Sequence, residues 1–134
     1  MWHDVGMSRN KTGLEKAIAE IKALKTEFWN DVKVSGKAEG INDELEKALR
    51  LVDFLELGVL VATDALHREE SCGGHFREES QTEEGEALRH DEQFMYVAAY
   101  EHKDGQNGQD GQDNVLHKEY LPFENIEVET RNYK

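Results

Sequence analysis

The chain is poor in cysteine, proline, basic residues and long apolar runs, and each shortage excludes something. Cys72 is the single cysteine in 134 residues, so no internal disulfide can form, and such usage fits a reducing, cytosolic compartment. The longest apolar run, Phe54 to Ala62, is broken by Glu56 and is too short to span a bilayer, so no direct membrane insertion is expected. The N-terminal residues Met1-Trp2-His3-Asp4 lack a basic stretch followed by an apolar one and do not read as a secretory signal. Sixteen Lys and Arg stand against 29 Asp and Glu, a formal net charge of −13. A basic surface is what nucleic acid and anionic lipid require, so no nucleic acid partner is expected. No Gly-x-Gly-x-x-Gly follows a strand pattern, so the dinucleotide-binding turn is missing. The one proline, Pro122, falls between two apolar segments near the C-terminus.

What remains is 37% hydrophobic and 34% charged, within the range of folded proteins and long enough for one domain with a core. Leu14, Ile18, Ile21, Phe28 and Val32 recur at helical steps, with Ala17, Leu24 and Trp29 beside them. The pattern predicts a helix over 12–33, with Thr12 as N-cap and Glu15 as its capping-box partner. Ser35-Gly36 and Gly40 mark a linker. Asn42 is placed to cap a second helix over 42–68, with Asp43 and Glu44 in its first turn, where the dipole favours acids. Ile41, Leu45, Ala48, Val52, Leu55, Val59, Ala62 and Leu66 form one stripe; Leu51, Phe54, Val61 and Ala65 form a second. A helix apolar on two sides is expected to lie between two neighbours, with Leu55 at the centre of the first stripe. Two helices bury such stripes poorly. A third element is therefore needed: Trp2 to Ser8, the C-terminal hairpin, or a domain outside this chain. Trp2, Val5 and Met7 also suggest a start cut from something longer.

Residues 69–92 show no period and hold nine acids against Arg77 and Arg89, a local balance of −7, which alone reads as a flexible loop. Phe94, Tyr96, Ala98 and Tyr100 alternate, and 115–121 can pair with that strand. Ile126 and Val128 suggest a further short strand. The expected class is mainly α: residues 1–93 as a helical bundle with an acidic loop over 69–93, and residues 94–134 as a β-hairpin and tail, in one structural unit.

Chemistry-bearing residues are few. His67, Cys72, His75 and His90 are zinc-ligand types, but Cys-x-x-His is half a motif and no second pair has matching spacing, so no metal site is assigned. Asp104, Asn107, Asp110 and Asp113 recur every three residues and lack the closing bidentate acid of a calcium loop. Cys72 and His75 have no third group to orient them as a nucleophile pair. Gly73-Gly74 follow no strand and precede no lysine, so they read as a turn and not as a phosphate loop. Glu56, within an apolar stretch, reads as one half of a structural ion pair, with Arg68, Arg77 or loop backbone as candidate partners.

The segment Arg68 to Glu79, with Glu70-Ser71-x-Gly73-x-His75 at its heart, resembles the Arg-x-Glu-Ser-Arg-Gly-Ala-His-x-Arg motif of succinate dehydrogenase and fumarate reductase flavoproteins. Gly6-Met7-Ser8-Arg9-Asn10, Glu56-Leu57-Gly58, Val61-Ala62 and Arg89-x-Asp91-x-x-Phe94 are similar to family segments in the same order. Cys72 stands where the family has arginine, Gly74 where it has alanine, and His90 where it has aspartate. The resemblance implies a spectrin-repeat-like three-helix bundle with a C-terminal β-hairpin. It makes Arg68, Glu70, Ser71, Gly73, His75, Arg89 and Asp91 structural motif residues, with no catalytic, cofactor-binding or metal-binding residue among them. It also implies a parent enzyme that carries FAD on an upstream domain beside a capping domain, pairs with an iron–sulfur subunit, and lies on the cytoplasmic side, peripheral to the inner membrane. The rival expectation is a freestanding acidic helical interaction module.

Overall fold

The computed structural model describes residues 1–37, 39–102 and 114–129. The loop residues Asp104, Asn107, Asp110 and Asp113 lie outside the described residues. Two compact units, Met1–Arg89 and His90–Lys134, divide the chain.

In the first unit a two-residue strand β1 (Ser8–Arg9) leads into helix α1 (Lys11–Asp31), and helix α2 (Asp43–His67) is followed by a two-residue strand β2 (Phe76–Arg77). Asn10, not Thr12, caps α1: its extended backbone lets its Oδ1 accept from the Gly13 N–H at 2.8 Å. Pairing of Ser8 and Arg9 with β2 holds the chain extended up to Asn10, which puts the first helical turn before Glu15 can act as a box partner. Asn42 caps α2 as expected, accepting from the Glu44 and Leu45 N–H groups. Its amide also donates to the Ser35 carbonyl in the linker, where Gly36 takes a φ of +113° that suits only glycine.

The helix pair packs through small residues. Val5, Leu14, Ala17, Ala62 and Ala65 form the core, with Ile18 and Leu66 against it, and Ile21 is also buried. Alanines on both helices permit a close approach, and Leu14, with no exposed surface, fills the space between them. The third covering element is the N-terminal turn, where the Val5 N–H bonds back to the Met1 carbonyl and Val5 enters the core. No third long helix exists among the described residues; the one other helix is the single turn α3 (Asp91–Phe94) in the second unit. Leu55 is half-buried at the wall of an open groove of about 330 Å³ with Leu24, Phe28, Val32 and Leu51, so the packing centre is Leu14 and not Leu55. Glu56 pairs with Lys25 across the helices and both side chains stay well exposed, so neither Arg68 nor Arg77 is its partner. No helix of the described residues is long and apolar enough to cross a membrane.

In the second unit, β3 (Tyr96–His102) pairs antiparallel with β4 (Asn114–Tyr120), in register Tyr96 with Tyr120 and Tyr100 with Leu116. Phe94, expected to open the strand, ends α3 instead, whose last turn bonds the Met95 N–H to the Asp91 carbonyl. Tyr96 is buried, tilted against Phe94, edge-on to Tyr120 and covered by the Lys118 ammonium. Residues 121–129 form no strand.

Candidate functional site

The acidic segment after α2 folds around a polar centre. Its buried residues are Glu70, Ser71, Arg77 and Ser80, the buried polar residues of the described chain. Every buried side-chain nitrogen or oxygen among the described residues has a partner. The loop is ordered by hydrogen bonds to backbone in place of an apolar core, which is why a search for hydrophobic period finds nothing there.

Arg77, 2% exposed, is the hub. Its Nη1 donates to the Ala65 and Leu66 carbonyls at 3.0 and 3.1 Å, groups at the C-terminal end of α2 that lack helical partners. The cation also faces the negative end of the α2 dipole. Its Nε donates to Glu79 Oε2 at 3.0 Å, and Glu79 Oε1 accepts from the Lys11 N–H at the positive end of α1. One ion pair thus joins the end of α2 to the start of α1. Burial pushes the Glu79 carboxyl up, but the Lys11 and Arg77 bonds outweigh it and leave it below the ordinary value. Glu78 accepts from Ser8 Oγ and Asn10 Nδ2, which lowers its carboxyl as well. Both carboxylates therefore favour folding above the ordinary Glu range, and that contribution fades as pH falls through it.

Ser71 locks the loop's base. Its Oγ accepts from the Arg77 N–H at 2.8 Å and donates to the Arg77 carbonyl, while its N–H bonds the Leu88 carbonyl. Ser80 Oγ donates to the Glu69 carbonyl. Glu70 accepts from Arg68, the C-cap residue of α2, at 2.8 Å. The β1–β2 pairing, continued by the Glu78 N–H to the Arg9 carbonyl, closes the clamp.

At the tip, Cys72 and His75 exchange backbone hydrogen bonds around a two-residue turn. Gly73 sits there at φ +59°, left-handed space that a side chain enters with strain. Gly73→Ala should lower stability by about 1 kcal/mol, measured by urea denaturation, because open space around its Cβ leaves strain as the only penalty. His75 Nε2 lies 2.8 Å from the Arg68 carbonyl, and its Nδ1 lies 2.6 Å from Arg9 Nη1. A carbonyl only accepts and a guanidinium only donates, so Nε2 carries the hydrogen and Nδ1 accepts. Burial lowers the His75 pKa first; the Arg68 carbonyl bond opposes this, and the charges of Arg9, Arg77 and Arg68 lower it further.

Of the expected motif residues, Arg68, Glu70, Ser71, Gly73 and His75 meet in this loop. Arg89 ends the first unit and Asp91 begins α3 in the second. With both ring nitrogens of His75 engaged, the ring does not activate the exposed Cys72 thiol. Among the described residues no three His, Cys, Asp or Glu gather to hold a metal ion. Arg9 and Arg77, named in the sequence only within a family segment and as a candidate partner of Glu56, are the two side chains of the clamp whose roles the pattern does not give. For Arg77 the available signal was charge: a lone arginine beside Glu78 and Glu79 is expected to be paired.

The fold and this site define a helix pair closed at one end by a polar clamp and followed by a β-hairpin unit. The acids and bases of the clamp are joined to one another and to helix ends. The chain belongs to the family described as the fumarate reductase flavoprotein C-terminal domain, whose model matches residues 1–133. It is 40% identical over 80 residues to a fumarate reductase (CoM/CoB) of Methanothermobacter marburgensis, covering 59% of this chain and 14% of that protein. It is 35% identical over 79 residues to an FAD-dependent oxidoreductase of Methanocaldococcus jannaschii, covering 59% of this chain and 14% of that protein. L-aspartate oxidase of Synechocystis is 29% identical over 89 residues, covering 58% of this chain and 16% of that protein. Among solved structures, a mutant FrdA of E. coli quinol fumarate reductase superposes with a TM-score of 0.76 at 22% identity, over 97% of this chain and 20% of that one. A quinol-fumarate reductase with menaquinol molecules gives 0.70 at 22% identity, over 91% and 19%. The match thus spans a fifth or less of each relative's own length.

Proposed function

We propose that this chain is the C-terminal structural domain of a succinate dehydrogenase or fumarate reductase type flavoprotein, and that it braces an upstream FAD-binding domain without supplying a catalytic group. The observation that carries this is the uncovered flank of α2. Phe54, Leu57 and Val61, at i, i+3 and i+7, share one face and are all exposed, Phe54 by 65%. An apolar ridge of this kind marks a surface made to be covered. In the parent enzyme the cover is a neighbouring domain or the iron–sulfur subunit, and the complex sits peripheral to the inner membrane on its cytoplasmic side.

The residues present do not fit FAD. The Gly73-Gly74 pair lies in a turn between Cys72 and His75 and not between a strand and a helix N-terminus. The cofactor, its dicarboxylate site and electron transfer to quinone are therefore assigned to upstream sequence and partner subunits. Purified alone, the chain is expected to be colourless near about 450 nm, where flavins absorb, and to show no dye-linked succinate oxidation. The longer flavoprotein that contains it should do both, and deletion of 42–92 from that protein should impair folding or assembly. Stoichiometric flavin on the isolated chain, or turnover by it, would overturn the proposal. So would a deletion variant that folds and keeps flavin but loses all chemistry.

A further inference from the structure

We propose that His75 is an acid-sensitive latch: neutral, it ties the tip of the clamp to β1 through Arg9; protonated, it lets go. The geometry leaves one place for a lone pair and one for a hydrogen. Nε2–H donates to the Arg68 carbonyl and Nδ1 accepts from Arg9 Nη1. A proton added at Nδ1 sets an N–H against an N–H and a new positive charge beside a guanidinium. The ring must then turn away, and Arg9 keeps only its bonds to the Val5 and Gly6 carbonyls.

The surroundings amplify this. Arg9 faces the ring from β1, Arg68 from the end of α2 and Arg77 from β2, and all three charges oppose a proton on His75. The carboxylates on those elements are engaged with the arginines and with β1. Asp64 on α2 acts on Arg9, Glu70 holds Arg68, Glu79 holds Arg77, and Glu78 accepts from Ser8 and Asn10. The ring also sits where its movement is felt. His75 adjoins the Ser8–Phe76 and Arg9–Arg77 register and closes the backbone bridge with Cys72. Its release therefore loosens the turn and the clamp together. The sign follows from where the proton binds better. The unfolded imidazole takes it more readily, so stability held at neutral pH falls as pH drops through the free imidazole value of about 6.5 and on to the folded one. The latch depends on this chain's own residues and stands apart from the proposed role in a flavoprotein.

The test is an NMR titration of the chain labelled with ¹⁵N, from about pH 7.5 to pH 5, the range in which histidine changes charge. At neutral pH the His75 ring shifts should report the Nε2–H tautomer. Its midpoint should fall below that of free imidazole, and the Cys72, His75 and Glu78 amides should move with that midpoint. In His75→Asn, the side-chain oxygen can still accept from Arg9 but does not titrate, and these amides should stay still. An Nδ1–H tautomer, a midpoint at or above that of free imidazole, or the same amide shifts in His75→Asn would each overturn the latch. Should the variant not fold, the tautomer and midpoint of the unsubstituted chain decide alone.

Discussion

Arg77→Met is expected to lose about 2–3 kcal/mol, the scale of leaving buried polar groups without their partner, and so a large part of the stability of a small domain. The replacement keeps the volume but not the donors. The Ala65 and Leu66 carbonyls and the Glu79 carboxylate lose their shared partner at once. Arg77→Lys should recover part of the loss, because an ammonium keeps the charge at the helix end but cannot fork between two carbonyls and a carboxylate. Urea denaturation followed by circular dichroism measures both. A loss within about 0.5 kcal/mol, the scale of ordinary surface changes, would mean that the clamp does not hold the helix pair together.

The second large effect is at the core. Leu14→Ala should cost about 2–5 kcal/mol, since Leu14 has no exposed surface and its neighbours Ala17, Ala62 and Ala65 are too small to fill the space it leaves. Phe54→Ala should cost this chain no more than about 0.5 kcal/mol, because 65% of that residue is exposed. In a longer protein that covers the α2 flank the order changes: Phe54→Ala becomes costly while Leu14→Ala costs what it did before. Melting curves of both variants in both contexts check this. A Phe54→Ala effect that is small in both would leave the exposed ridge without a partner and remove the chief support for the structural role.

The helices were legible because their signals are local. The cap at Asn42 and the acids after it fix the start of α2 to the residue, and the apolar steps of α1 give its extent within two residues at either end. Which part of each stripe would be buried was not legible. The first stripe runs the length of α2 and the second from Leu51 to Ala65, but burial concentrates near Ala62 and Ala65, because Val5 arrives there from the N-terminal turn and no described residue covers Leu45 or Leu49 in the same way. That is a tertiary event without a local sign. The clamp was hidden for a related reason. Arg9 and His75, or Ser8 and Glu78, meet across most of the first unit, and polar side chains bonding to backbone leave no repeating pattern. Resemblance to a known motif pointed to Arg68, Glu70, Ser71, Gly73 and His75; it did not say that Arg77 would be the centre.

The β1–β2 pairing also bears on the order in which the chain can assemble. Arg9 and His75 are 66 residues apart in sequence. In an open coil, bringing them together carries the entropy of closing the whole intervening segment, a quantity that grows with the logarithm of its length. Once α1 and α2 fold back on each other, the start of one and the end of the other are already neighbours, and what remains to be closed is only the short turn around Gly73. On this topology the helix hairpin is expected to form first and the clamp last. Contacts formed last act mainly on how fast a domain comes apart and little on how fast it forms. The clamp is then expected to set mainly how long the folded state lasts, which the unfolding rate of Arg77→Met would show.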